Sequence, residues 1–237
     1  MARKLTKEEW RRKKRRKRVL LRIFTLVLLC AIITIPLYVI YNIYSEQFGG
    51  NKVIEETIIH PLSNGEKIKL EYLTPNPYSR PQKKLKKIKG VVIHYTANPG
   101  TTAQNNRSYF EGLANSKATS VSSHFVIGLE GEVIQCIPLT EIAYASNNRN
   151  DDTVAIECCH PDKTGKFNKS TYQSLVCLAA SLCIEYDLER EDIIRHYDIT
   201  GKLCPLYYVE HKDAWEAFRD DVMKEVTKLK SEQVETK

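Results

Sequence analysis

Two histidines, one cysteine and one glutamate carry the most specific chemistry in this sequence. His94 sits near the end of a β-branched run, Val91-Val-Ile-His-Tyr95, and His196 precedes Cys204 in His-Tyr-Asp-Ile-Thr-Gly-Lys-Leu-Cys-Pro. Two imidazoles and a thiolate are a donor set that binds zinc with one position left open, as catalytic sites do and closed structural sites do not. Either part alone is a weak signal, because a lone strand-end histidine is more often a hydrogen-bonded core residue. Glu157 adds weight. It is the single acid in the apolar run Val154-Ala-Ile-Glu157, and a buried carboxylate is costly unless it is paired or functional.

The elements that must position these groups are legible from periodicity. Residues 91–95 read as a buried strand, bounded by Gly90 and by the Asn98-Pro-Gly100 turn. Residues 101–115 read as a helix capped by Thr101 or Thr102. His124-Phe-Val-Ile-Gly128 and Glu132-Val-Ile-Gln-Cys-Ile137 flank Leu-Glu-Gly and predict a hairpin. Residues 153–158 predict another buried strand. Ser170 with Gln173 has the form of a capping box ahead of Leu175, Leu178 and Leu182, whose spacing gives one apolar helix face ending near Tyr186. Residues 193–195 form a short strand, and Trp215, Phe218, Val222 and Val226 give a closing amphipathic helix. Strands interleaved with helices indicate an α/β domain with a mixed central β-sheet flanked by helices.

Charge excludes a nucleic-acid partner. The formal net charge is +7, but 12 of the 36 Lys and Arg and only two of the 29 acids lie in residues 1–22. The remaining chain holds 24 bases against 27 acids, a net of −3, and offers no general positive field to phosphates. Residues 23–41 form an uncharged apolar run of 19 residues, interrupted only by Thr25, Thr34 and Pro36. At about 1.5 Å per residue a helix of that length crosses a hydrocarbon core of about 30 Å. No small-x-small cleavage site follows the run, and Leu29 is too large for a lipoprotein site at Cys30. The reading is one N-terminal transmembrane helix in the cytoplasmic membrane, with the basic end inside and the rest of the chain outside. The domains are then a cytoplasmic tail at 1–18, an anchor at 19–44, an extracytoplasmic linker at 45–67, a catalytic domain at 68–228 and a polar tail at 229–237. Residues 72–81 are too proline-rich for a helix or central strand and read as an extended arm. The basic cluster at 83–89 is a solvated lead-in, with contact to an anionic wall polymer as the other reading. Six of the seven cysteines lie beyond the anchor, and their places in apolar strands and helices suit small buried hydrophobes, although a disulfide stays open.

The segments Val91-Val-Ile-His-Tyr-Thr-Ala97, Ser122-Ser-His-Phe-Val-Ile127, Val154-Ala-Ile-Glu157 and Arg195-His-Tyr-Asp-Ile-Thr-Gly-Lys-Leu-Cys-Pro205 together resemble the zinc-dependent N-acetylmuramoyl-L-alanine amidases of the type 2 class. That superfamily includes autolysins, phage endolysins and peptidoglycan recognition proteins. The resemblance covers residues 68–228 and implies a sheet with packed helices, a zinc ion in an open groove, and peptidoglycan as substrate. It implies His94, His196 and Cys204 as metal ligands, Glu157 as general base and acid, and Lys202 as a cation that stabilises the developing oxyanion.

The chain also departs from the pattern. Phage members carry a tyrosine immediately before the position of His124, where this chain has Ser123, which puts more of the proton transfer on Glu157. His124 faces either the groove or the core, and support of a metal ligand or a substrate contact is expected rather than a fourth ligand, which would close the site. Many relatives have Trp-His-Ala-Gly where this chain reads Ala143-Tyr-Ala-Ser146, so Tyr144 is expected to line the groove in place of the histidine. Asn147, Asn148 and Asn150 read as ordinary loop residues, and His60, His160 and His211 as surface or structural ones. The alternative function is a receptor module that binds peptidoglycan without cutting it.

Overall fold

The computed structural model describes residue 34 and residues 62–235. The basic tail, the apolar run and most of the linker lie outside the described residues. Among the described residues no helix is long and apolar enough to cross a membrane.

The chain runs β1 (Ile68–Leu70), β2 (Val91–Tyr95), α1 (Ala103–Ser116), β3 (Phe125–Ile127), β4 (Val133–Gln135), β5 (Val154–Cys158), α2 (Lys169–Tyr186), β6 (Ile193–Arg195), α3 (His196–Thr200), α4 (Leu206–Glu210) and α5 (Lys212–Glu235). Short 3-10 turns at Asn147–Arg149 and Arg190–Asp192 precede β5 and β6. One sheet has the order β1-β4-β3-β5-β2-β6. Every pairing is parallel except β3 with β4, the hairpin expected from Leu-Glu-Gly. Gly131 makes that hairpin's turn at φ +89°, and a Cβ there would meet the Ser174 Oγ at 2.9 Å. The fold is the mixed α/β architecture that the alternation of elements predicts.

Side-chain alternation divides the sheet into two faces. Val91 and Ile93 of β2, Val154, Ile156 and Cys158 of β5, and Phe125 and Ile127 of β3 face one way and join one core cluster. Leu175, Leu178 and Leu182 of α2 and Trp215, Phe218, Val222 and Val226 of α5 close over them at helical spacing. Each large side chain so buried contributes about 1.5–3 kcal/mol. On the opposite face Val126 and Ile134 pack under Ala103 and Phe110 of α1. Thr102 caps α1 as the sequence suggests, accepting from the Asn105 N–H.

Three local readings are corrected, and the reading of the cysteines as buried hydrophobes holds. The cap of α2 is Asn168, whose Oδ1 accepts from the Thr171 N–H at 2.9 Å while its Nδ2 donates to the Leu129 carbonyl at 2.8 Å. Ser170 lies one residue inside the helix. Leu62, assigned to the linker, is buried in the core, and β1 adds a short edge strand too brief to show periodicity. The closing helix runs past residue 228, with Leu229 still packed on the core, because its apolar spacing continues one turn further. The cysteines at 136, 158, 159, 177, 183 and 204 are buried free thiols, and no bridge forms among them.

The cap assignment predicts an asymmetry. Asn168→Ala should cost about 1–2 kcal/mol, since it removes a cap and a tertiary hydrogen bond. Ser170→Ala should stay within about 0.5 kcal/mol. Urea denaturation midpoints of the two variants measure the difference, and equal losses would return the cap to Ser170.

Candidate active site

The site is built where parallel strands end. In β2 the residues facing away from α2 and α5 are Val92 and His94, and in β5 they are Ala155 and Glu157. Register pairs His94 with Glu157, which places imidazole and carboxyl on the same face of adjacent strands, near their carboxyl ends. On the other side β2 pairs with β6, and His196 follows β6 directly as the first residue of α3. That helix lasts five residues and stops at Gly201, in the left-handed region at φ +78°. The chain turns back there, and the Tyr197 N–H donates to the Cys204 carbonyl at 2.9 Å. The eight-residue separation of His196 and Cys204 is therefore the path of one short helix and its return.

The ligating atoms of His94, His196 and Cys204 lie within 4.8 Å of one another, and all three residues are buried. The two rings meet edge to face at 4.8 Å between centroids. The Cys204 Sγ is 3.8 Å from the His94 Nδ1, and the opposite ring nitrogen, Nε2, is 3.4 Å from the Ser146 Oγ. The His196 Nε2 is 3.0 Å from the Asn147 Oδ1, while its Nδ1 is buried without a partner.

Burial sets the charge state. It holds His94 well below the usual imidazole range, helped by the positive fields of His196 and Lys202. His196 is lowered by burial and by Lys202. Both rings are thus neutral, the form that binds metal. Burial pushes the Cys204 thiol up to about 12, and the Glu157 charge adds to it. A cation at this point reverses that balance, because thiolate then has an opposite charge to pair with. An orphaned buried imidazole nitrogen, a second neutral imidazole and a thiol meeting at one point fit a zinc ion with a position to spare.

Glu157 is half-buried, and its Oε2 is enclosed without a hydrogen-bond partner. Burial raises its carboxyl to about 8, against the opposing pull of Lys202. Both residues line a groove of about 390 Å³ between α1 and the strand ends, together with Tyr95, Asn105, Asn106 and Tyr109. Lys202 is exposed and supplies the cationic side of this groove.

Residues 84–206 match the family described as N-acetylmuramoyl-L-alanine amidase, Amidase_2. The chain belongs to that family. The N-acetylmuramoyl-L-alanine amidase CwlL of Bacillus licheniformis is 35% identical over 170 residues, which are 66% of this chain and 46% of CwlL. The amidase BlyA of Bacillus subtilis (strain 168) is 34% identical over 172 residues, 64% of this chain and 45% of BlyA. The chain thus spans a little under half the length of the curated relatives it matches. Among solved structures, PlyL superposes with a TM-score of 0.57 at 23% identity, over 66% of this chain and 96% of that one. The PlyG catalytic domain gives 0.57 at 24%, over 68% and 95%. These likenesses establish the fold.

Within this domain one expectation is corrected. His124 is 1% exposed; its Nδ1 accepts from the Ala155 N–H at 3.0 Å and its Nε2 lies 2.9 Å from the Glu141 carbonyl. With both nitrogens committed to backbone it ties β5 to the 141 loop and has nothing to offer a substrate. Tyr144 is partly buried against the core cluster, with Lys83 Nζ 6.0 Å from its ring centroid. It is the following residues, Ser146 and Asn147, that reach the site. Their signal in the sequence was only an Asn-rich loop.

The raised Glu157 carboxyl has a consequence for stability in the metal-free chain. Its ordinary value is 4.5 and its folded value about 8, so folding retains a proton that the unfolded chain releases. The Glu157 contribution to stability should fall as pH rises from about 4.5 to about 8, and level off above. Comparing denaturation of the chain and of Glu157→Gln across that window checks it: the variant should lack this component, and parallel pH profiles would contradict the raised value.

Proposed function

We propose that the chain is a membrane-held amidase that hydrolyses the amide between the lactyl group of N-acetylmuramic acid and the L-alanine that begins the stem peptide of peptidoglycan. The observation that carries the reading is the His94, His196 and Cys204 cluster standing next to Glu157, in a chain of the N-acetylmuramoyl-L-alanine amidase family. CwlL and BlyA bear that activity in their names.

His94, His196 and Cys204 would hold zinc, which in such a site polarises a carbonyl oxygen and lowers the pKa of water. Glu157 accepts a proton from the attacking water at its carboxylate and returns it to the leaving nitrogen of L-alanine. Burial raises this carboxyl to about 8 in the metal-free chain, and a cation held by the three donors would lower it again towards the range in which a carboxylate accepts a proton near neutral pH. Lys202 Nζ faces the same groove and offers positive charge to the carbonyl oxygen as it becomes anionic. Carboxamides of Asn105 and Asn106 on the groove wall can hydrogen-bond peptide or sugar. The net reaction adds one water across one amide, giving a lactyl carboxylate and a free alanine amine.

The apolar run at 23–41 behind an arginine-rich start supports an anchor at 19–44 that keeps the domain on the outer face of the cytoplasmic membrane, beside the inner wall layers.

Purified wall incubated with the protein should release stem peptide with a free N-terminal alanine, identified by mass spectrometry. Glu157→Gln should keep zinc and wall binding while activity drops by roughly 10²–10⁴-fold. Wall binding without any release, by the unaltered protein carrying zinc, would replace the enzyme by a receptor module. Loss of zinc from Glu157→Gln would instead make this carboxyl part of the metal's support.

For topology, protease added to wall-stripped cells should remove the domain beyond residue 44 and spare the basic tail. A fully protected domain, or a soluble mature product starting after residue 44, would overturn the anchor reading.

A further inference from the structure

The turn at 146–150 does more than connect strands. Asn147 adopts the left-handed region at φ +52° and brings its Oδ1 to 3.0 Å from the His196 Nε2. A carboxamide oxygen only accepts, and this contact therefore requires the proton of the neutral imidazole to be on Nε2. The lone pair is then left on Nδ1, which is buried without a partner. The preceding residue contacts the other ring at the same nitrogen: Ser146 Oγ lies 3.4 Å from the His94 Nε2, while the His94 Nδ1 faces the Cys204 sulfur.

The turn is itself braced. The Asn150 Oδ1 accepts from the N–H groups of Ala145 and Ser146 at 3.1 and 2.6 Å, and the Thr153 Oγ1 donates to the Arg149 carbonyl at 2.6 Å. The acceptor is fixed before anything binds, and a histidine ring oriented through its remote nitrogen is a stronger and more selective ligand.

We infer that Asn147 is the positioning residue that sets the His196 tautomer, directing its Nδ1 lone pair to the point shared with His94 and Cys204. The inference rests on the metal-site reading above for its purpose, though not for its geometry. Glycine and aspartate separate the acceptor from the backbone, because glycine adopts the left-handed conformation freely and aspartate tolerates it while keeping an oxygen.

Asn147→Gly and Asn147→Asp would be made in the full chain and compared by ¹⁵N NMR of the histidine rings in the metal-free state, and by zinc affinity in competition with a chelator. The unaltered chain and Asn147→Asp should show His196 protonated on Nε2. Asn147→Gly should show a mixture of tautomers and bind zinc 10–100-fold more weakly, the usual size for loss of such an outer partner. An unchanged tautomer and unchanged affinity in Asn147→Gly would overturn the inference. So would equal losses in both variants, which would mean that the turn's shape rather than its acceptor matters. If the unaltered chain takes up no zinc but its His196 tautomer still depends on residue 147, the positioning role stands and the metal reading fails.

Discussion

The parallel pairing of β2 with β5 and β6 is the constraint on which the site depends. Strands covered on both faces can carry polar groups only near their ends, and a parallel register brings like ends together. His94 opposite Glu157, with His196 one residue beyond β6, are three consequences of one alignment. A slip of one residue in β2 would move His94 to the face packed by α2 and α5 and bring Ile93 to the site. The apolar residues of these strands thus specify the chemistry indirectly: they make every other register costly.

The alignment leaves a second requirement, since an open site needs one face less covered than the other. α2 and α5 seal their side completely with Leu175, Leu178, Trp215 and Phe218. α1 packs only on the Val126 and Ile134 end of the opposite face, and its Asn105, Asn106 and Tyr109 become a groove wall. The loop after β4 closes the remaining edge. Arg80 clamps Glu141 in a two-point ion pair, and His124 ties the same residue's carbonyl to the start of β5. These contacts place the chain that reaches Ser146 and Asn147 directly behind the two imidazoles.

What the sequence revealed follows the range of the forces involved. Strands such as Val91 to Tyr95, the Leu-Glu-Gly hairpin and the face of α5 come from periodicity and turn chemistry, which act over a few residues. His94 and Glu157 stood out as polar groups in apolar runs, His196 and Cys204 by their spacing, and the fold brings the four together. His124 met the same criterion and was misread, because two backbone partners 31 and 17 residues away satisfy it, and nothing near it in sequence announces either. Asn147 failed in the opposite direction: an asparagine in a loop is unremarked until the fold brings it 49 residues across to His196. The Ser170 capping box was locally sound, yet Asn168 also bonds the Leu129 carbonyl, and that tertiary contact decides where α2 begins.

Burial explains how so polar a cluster can sit beside a packed core. In water near neutral pH Glu157 would be charged and the two imidazoles partly so, and charges removed from water without partners are expensive. Desolvation resolves this by shifting each group towards its neutral form: imidazoles downward, thiol and carboxyl upward. Lys202 opposes the carboxyl shift while reinforcing that of the imidazoles, because its positive charge favours an anion and disfavours a second cation. The metal-free cluster is therefore nearly neutral, and its protons are held by the absence of a countercharge. A divalent cation among the three donors would supply that countercharge, favouring thiolate at Cys204 and carboxylate at Glu157 together. Cation binding and the charge state of Glu157 would then be linked through the same field.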